Sequence, residues 1–178
     1  RKKKGDIKAT DIGTWIHGIM ERMRPGMQAE KVLAELIERG VLPPEALDTV
    51  DCGAIDRIMR EPTMLEAAAA PGALREQPFI LRIPACEADP DRFPSSETPV
   101  IVQGIIDLAY ETENGWVLLD YKSNRVSTAE EMAFLLDYYA PQTRIYRTAL
   151  EKITKKPVVK AGLALISAGK ILWFNLPE

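Results

Sequence analysis

The chain has 178 residues and a mass of 19.9 kDa, enough for one domain with a sizeable core and no need of disulfide staples. Hydrophobic residues make up 46% and charged residues 28%, the mean hydropathy is -0.13, and no apolar run reaches the roughly 18 residues of a membrane-spanning helix. Two cysteines and one histidine exclude a disulfide framework, a four-cysteine zinc site and a cysteine-ligated iron–sulfur cluster, so any metal is held mainly by oxygen.

The net charge of -3 and pI near 5.4 argue against an autonomous nucleic-acid binder. They leave room for a local basic cleft, or for a substrate delivered by another domain. The opening Arg1-Lys2-Lys3-Lys4-Gly5 has no methionine and no apolar signal core. Residues 1–10 are expected to be a linker from a preceding region, 11–178 a single domain, and the location cytoplasmic.

In chain order, Ile12, Ile16, Ile19, Met20 and Met23 recur at helical spacing over residues 11–24. Pro25-Gly26 ends that helix. A second amphipathic helix spans about Ala29 to Arg39, and short helices fill 45–70 up to Pro71-Gly72. The pattern then turns to strands at 74–84, with Pro78 marking an edge or irregular start. A polar, proline-bearing loop covers 85–98. Strands at 99–111 and 116–122 flank Asn114-Gly115, a strong hairpin signal. Ser127 to Glu130 reads as a capping box. Pro141 is expected to break the helix that follows, with another from Gln142 to Ile153. Strands near 157–166 and 170–175 close the chain across Ala168-Gly169. This order, 11–70 mostly helical and 74–178 sheet-containing, predicts an α/β domain around a mixed central sheet.

The hairpin carries the chemistry. With Asn114-Gly115 as a two-residue type I′ loop, Glu113 pairs with Trp116, Asp107 stands opposite Lys122, and Asp120 opposite Ala109. Asp107, Asp120 and Lys122 then share one face, with opposed Cβ atoms about 5 Å apart. Their neighbours Ile105, Ile106, Leu108, Val117, Leu118 and Leu119 mark a buried strand pair, where charge is costly unless paired or metal-bound. One reading is an Asp–Lys ion pair on a half-exposed sheet. The other is a cation site, because one lysine cannot neutralise two carboxylates; hard oxygen ligands favour Mg²⁺ or Mn²⁺. Two carboxylates, a metal and a lysine suit phosphodiester hydrolysis. No Gly-x-Ser-x-Gly elbow is present, and Gly169-Lys170 lacks the rest of a phosphate loop.

Gly104-Ile-Ile-Asp107 followed by Asp120-Tyr-Lys122 resembles the bipartite motif of the PD-(D/E)XK nucleases. Gly13-Thr-Trp-Ile-His17 resembles the Gly-Thr-x-x-His signature of their RecB-like branch, and Gln142-Thr-Arg-Ile-Tyr146 its Gln-x-x-x-Tyr motif. Arg75-Glu76-Gln-Pro-Phe79 is similar to a glutamate-bearing strand of bacterial recombination nucleases. Within the branch, Val102-Gln-Gly-Ile-Ile-Asp107 and Leu118-Leu-Asp-Tyr-Lys122 look most like the C-terminal nuclease domain of the AddA family of helicase–nucleases. Ser123-Asn124 departs from the Thr-Asp common in relatives and leaves the motif intact.

The resemblance implies a restriction-endonuclease-like fold. It also implies a Mg²⁺-dependent exonuclease, without an iron–sulfur cluster, acting on single-stranded DNA unwound by a helicase region in double-strand-break repair, with an AddB-type partner. It makes Asp107, Asp120 and Lys122 catalytic, and His17, Asp107, Asp120 and the Tyr121 backbone carbonyl metal ligands. Gln142, Tyr146, Glu76 and Arg144 become DNA-binding or supporting residues, with Arg125, Arg147 and Lys152 as further candidates to line a basic cleft. From the residues alone, His17 is a hydrogen-bonded boundary histidine or a ligand, and Gln142 and Tyr146 pack a helix on the sheet or face the site. Trp15, Trp116 and Trp173 are assigned to the core. A catalytically inactive scaffold that binds DNA or a partner, and a stand-alone RecB-like exonuclease, are the alternatives.

Overall fold

The computed structural model describes residues 7–176. Most of the linker assigned to residues 1–10 lies outside them, and its last residues already belong to the first helix. Four helices come first: α1 (Ala9–Arg22), α2 (Ala29–Glu38), α3 (Cys52–Ile58) and α4 (Pro62–Ala69), with a 3₁₀ turn at Pro44–Ala46. Their apolar stripes make them one layer. In α1 the buried residues are Trp15, Ile16, Ile19 and Met20; in α2 they are Ala29, Val32, Leu33 and Leu36. Asp51 caps α3 by accepting the Ala54 N–H, and Asp56 reaches across to accept that of Ala29 at the start of α2.

Five strands follow: β1 (Leu74–Pro84), β2 (Pro99–Thr112), β3 (Gly115–Lys122), β4 (Val158–Leu165) and β5 (Lys170–Trp173). They form one sheet in the order β1-β2-β3-β4-β5. All neighbours are antiparallel except β3 and β4. That parallel pair requires a crossover, supplied by the long helix α6 (Ala129–Thr154). The expected loop at 85–98 holds one short helix, α5 (Ala85–Ala88). Leu108, Tyr110, Val117, Leu119 and Tyr121 face the N-terminal helices. Ala109, Trp116 and Leu118 face Ala149 and Leu150 of α6. The α/β mixed-sheet expectation holds. Trp15 and Trp116 are core residues, whereas Trp173 is 36% exposed beneath the Lys160 ammonium.

Three local expectations are corrected. The β2–β3 register pairs Thr112 with Gly115 and Leu108 with Leu119, a slide of two residues that leaves Glu113-Asn114 as the loop. Gly115 is spent on strand entry rather than on the turn. Its φ is +136, and a Cβ there would lie 2.5 Å from the Pro157 carbonyl oxygen, which accepts the Trp116 N–H. The capping box begins one residue later, with Thr128 and Glu131 exchanging hydrogen bonds.

Pro141, finally, does not break α6, which runs through it. Proline inside a helix removes one N–H bond and costs about 3 kcal/mol. Burial of Leu135 on one side, and of Thr143, Ala149 and Leu150 on the other, holds the two halves to the same sheet. Pro141→Ala is therefore expected to raise stability by about 1–3 kcal/mol, less the entropy proline removes from the unfolded chain. Urea denaturation of the two proteins measures this; a fall in stability would show that the proline fits its position.

Candidate active site

The site lies where the β2–β3 ladder stops. Arg75 pairs with Leu108 and Gln77 with Ile106, which sets Glu76 of β1 level with Asp107 of β2. The last β2–β3 pair is Leu108–Leu119, so Asp107 is also level with Asp120 of β3. The strands are irregular along this row. Glu76 has a φ of +46, a left-handed conformation that costs a side-chain-bearing residue about 1–2 kcal/mol. Ile106 packs on the α6 side although Leu108 and Tyr110 face the N-terminal helices, so the alternation of β2 breaks at Asp107. Instead of a backbone carbonyl, Asp107 Oδ2 accepts the Tyr121 N–H at 2.6 Å.

His17 reaches this row from α1. Its Nδ1 lies 3.1 Å from Glu76 Oε1 and 3.3 Å from Asp107 Oδ1. Ligand atoms of His17, Glu76 and Asp107 all fall within 4.8 Å of one another. Burial disfavours a charged imidazole, but the hydrogen bonds and negative charges of Asp107 and Glu76 outweigh it and raise the His17 pKa to about 10. The ring meets Tyr121 edge-on, with centroids 5.7 Å apart.

Asp120 occupies the other half of the site. Its carboxylate forms an ion pair with Lys122, and Gln142 of α6 bridges the two. Gln142 Nε2 donates to Asp120 Oδ1 and Gln142 Oε1 accepts from Lys122 Nζ, each at 3.3 Å. Burial and the neighbouring Asp107 charge raise the Asp120 pKa to about 6, against the opposing pull of Lys122. Lys122 Nζ sits 4.2 Å from the Tyr139 ring centroid, and the Tyr139 hydroxyl reaches Asn124 Oδ1 at 3.4 Å.

His17, Glu76, Asp107, Asp120, Lys122 and Gln142 are thus brought together. Because the register slides by two residues, Asp107 stands level with Asp120 and not Lys122. Tyr146, one turn beyond Gln142, packs its ring on Phe79 and against Gly104, where a Cβ would come within 2.8 Å of it. Arg144 lies 3.6 Å from Asp91, Arg147 pairs with Glu151 and Lys152 with Glu87; Arg144 and Arg147 line a shared pocket with Thr143 and Phe174, and Arg125 is exposed. Tyr139 went unanticipated. A helix broken at Pro141 separates it from Gln142, whereas the continuous helix sets them three residues apart on one face.

A family model described as the PD-(D/E)XK nuclease superfamily matches residues 1–177. The chain belongs to the PD-(D/E)XK nuclease superfamily. Its curated relatives include AddA proteins, which are ATP-dependent helicase/nucleases. The chain is 32% identical to that of Bacillus velezensis over 96% of its own length. It is 32% identical to that of Geobacillus thermodenitrificans over 88%, and 28% identical to that of Oceanobacillus iheyensis over 93%. In each case the chain spans 14% of the relative's length.

The left-handed backbone of Glu76 sits inside this cluster and is testable apart from its carboxylate. Glu76→Ala and Glu76→Gly both remove the charge, and only glycine relieves the backbone. The glycine variant should be more stable than the alanine variant by about 1 kcal/mol in urea denaturation; equal stabilities would mean the strand relaxes to an extended conformation.

Proposed function

We propose that this chain is the metal-dependent deoxyribonuclease domain of an AddA-type helicase–nuclease. It hydrolyses phosphodiester bonds of single-stranded DNA that a helicase region unwinds during double-strand-break repair, beside an AddB-type partner. The observation that carries the nuclease reading is the convergence of His17, Glu76 and Asp107 next to the Asp120–Lys122–Gln142 group. The names of the relatives support the helicase setting.

The residues present fit a divalent cation. Three carboxylates face one imidazolium and one ammonium, which leaves a negative charge uncompensated. Exchanging the His17 proton for a divalent cation brings the balance to zero. The donors are hard oxygens plus one imidazole, the chemistry of Mg²⁺ or Mn²⁺. His17, Asp107 and Asp120 would hold it, with the Tyr121 backbone carbonyl and with Glu76 closing the same cluster. When bound, the cation lowers the pKa of a water and offsets charge on the phosphate.

The remaining roles belong to the chain itself. Lys122 presents its ammonium to a phosphate oxygen and stabilises the charge that grows there as the bond breaks. Gln142 holds Lys122 and Asp120 in one arrangement, so neither side chain must be ordered when substrate arrives. Tyr139 covers the lysine and limits its contact with water. The presence of Asp107, Asp120 and Lys122 together, with one negative charge left for a cation to balance, favours an enzyme over an inactive scaffold.

Labelled single-stranded DNA should be cut in the presence of Mg²⁺ and left intact in EDTA. Lys122→Ala should slow cutting by about 100-fold or more and keep Mn²⁺ binding, measured by calorimetry. Asp107→Ala should lose both. Undiminished cutting by Lys122→Ala would overturn the assignment of the lysine, and undiminished Mn²⁺ binding by Asp107→Ala that of the metal site.

A further inference from the structure

The first half of α6 carries a feature that the catalytic cluster does not use. Phe134 and Tyr138 lie one turn apart on the same side of the helix, each 65% exposed. Their rings stack with centroids 6.0 Å apart and planes 26° from parallel. Tyr138 meets Tyr139 edge-on at 5.0 Å, and Tyr139 is the ring beneath Lys122. The row continues along the helix to Gln142, four residues beyond Tyr138, which holds Lys122 and Asp120. Solitary exposed aromatics need no explanation. These two are stacked, lie on one side of one helix, and connect ring by ring to the ammonium at the reacting centre.

We propose that Phe134 and Tyr138 form a stacking platform for the bases of a single-stranded polynucleotide, which steers nucleotides next to the scissile phosphate toward Lys122. The proposal rests on the nuclease reading above. Two observations choose this occupant. The first is continuity: a strand with one phosphate at Lys122 must place adjoining nucleotides close by, and the aromatic row begins there. The second is charge. Between Ala129 and Thr143, α6 itself carries Glu130, Glu131 and Asp137 and no basic residue, and Lys170 beside it lies against Met132, so the helix offers a phosphate backbone little. Base faces do gain, because stacking on aromatic rings is tolerant of sequence and needs no charge. The platform therefore binds bases, while the metal cluster and Lys122 bind the phosphate.

The test compares two labelled strands of equal phosphate count in EDTA by fluorescence anisotropy: an oligothymidylate of about 20 nucleotides and its abasic counterpart. The unaltered chain should prefer the base-bearing strand by about tenfold or more, and that preference should survive added salt. Phe134→Ala/Tyr138→Ala should lose most of the preference and bind the abasic strand as before. Phe134→Tyr/Tyr138→Phe should keep it. Full preference in the alanine variant would overturn the platform, as would equal weakening toward both strands. So would unchanged strand binding in an alanine variant that no longer associates with a helicase region, since the rings would then be a protein-docking patch. Cleavage of a small aryl phosphodiester, too short to reach Phe134, separates this idea from the one beneath it. Failure of the unaltered chain to cut that diester would count against the nuclease reading, while the strand comparison would still report on the rings.

Discussion

Asp107 and Asp120 sit side by side in the sheet at 5% and 6% exposure, and the arrangement around them follows from what buried carboxylates require. An unpaired charge at such a position would be neutralised or would unfold the strands. Each neighbouring element supplies part of the compensation. The β3 backbone gives Asp107 the Tyr121 N–H, α1 gives it His17, and Lys122 with Gln142 serves Asp120. The β2–β3 hairpin and two helices distant from it in sequence, α1 and α6, are therefore tied to one row of the sheet by charge as well as by apolar packing.

The same row explains why the sheet is irregular where it is. A regular ladder would spend the Tyr121 N–H on a β2 carbonyl; here the Asp107 carboxylate takes it. Glu76, level with Asp107 on β1, adopts a left-handed backbone and delivers its carboxylate to His17. Strain stored at such a point persists only where the surroundings over-determine it. Ten backbone pairs tie β1 to β2 around this row, and α1 closes over it. In β1 and β2 the irregularity falls on Glu76 and Asp107, two members of the cluster around His17.

How much of this was legible in the sequence depends on the physical signal. Apolar periodicity marked the helical N-terminal layer and the strands because burial has a fixed period in each. The hairpin register was two residues out, since Asn114-Gly115 resembles a turn signal while Gly115 serves the approach of Pro157. The slide was even, so it left the side chains paired from Leu108 to Thr112 on their faces of the sheet, the alternation breaking only beyond them at Asp107. That is why the meeting of Asp107 with the Asp120–Lys122 face survived the error. Pro141 misled in a costlier way. Local propensity says break, tertiary packing says continue, and only the second places Tyr139 with Gln142. The strained Glu76 backbone has no sequence signature. The packing of Tyr146 has none either, because it depends on Gly104 leaving room for a ring.

The continuity of α6 has a consequence for how the site is held. A break at Pro141 would put Gln142 at a helix start, free to follow whatever loop preceded it. Within one helix, Gln142 is fixed by packing on both sides: Leu135 before it, and Ala149 and Leu150 after it. Tyr146, one turn on, is locked against Phe79 and Gly104 and fixes the rotation of the helix about its axis. That rotation sets where Gln142 and Tyr139 meet Lys122. Residues on a packed helix hold such geometry better than residues on a loop. The ring of Tyr146 on Phe79 and Gly104 and the amide of Gln142 on Lys122 are thus contacts of one rigid helix, so the packing of the first bears on the geometry of the second.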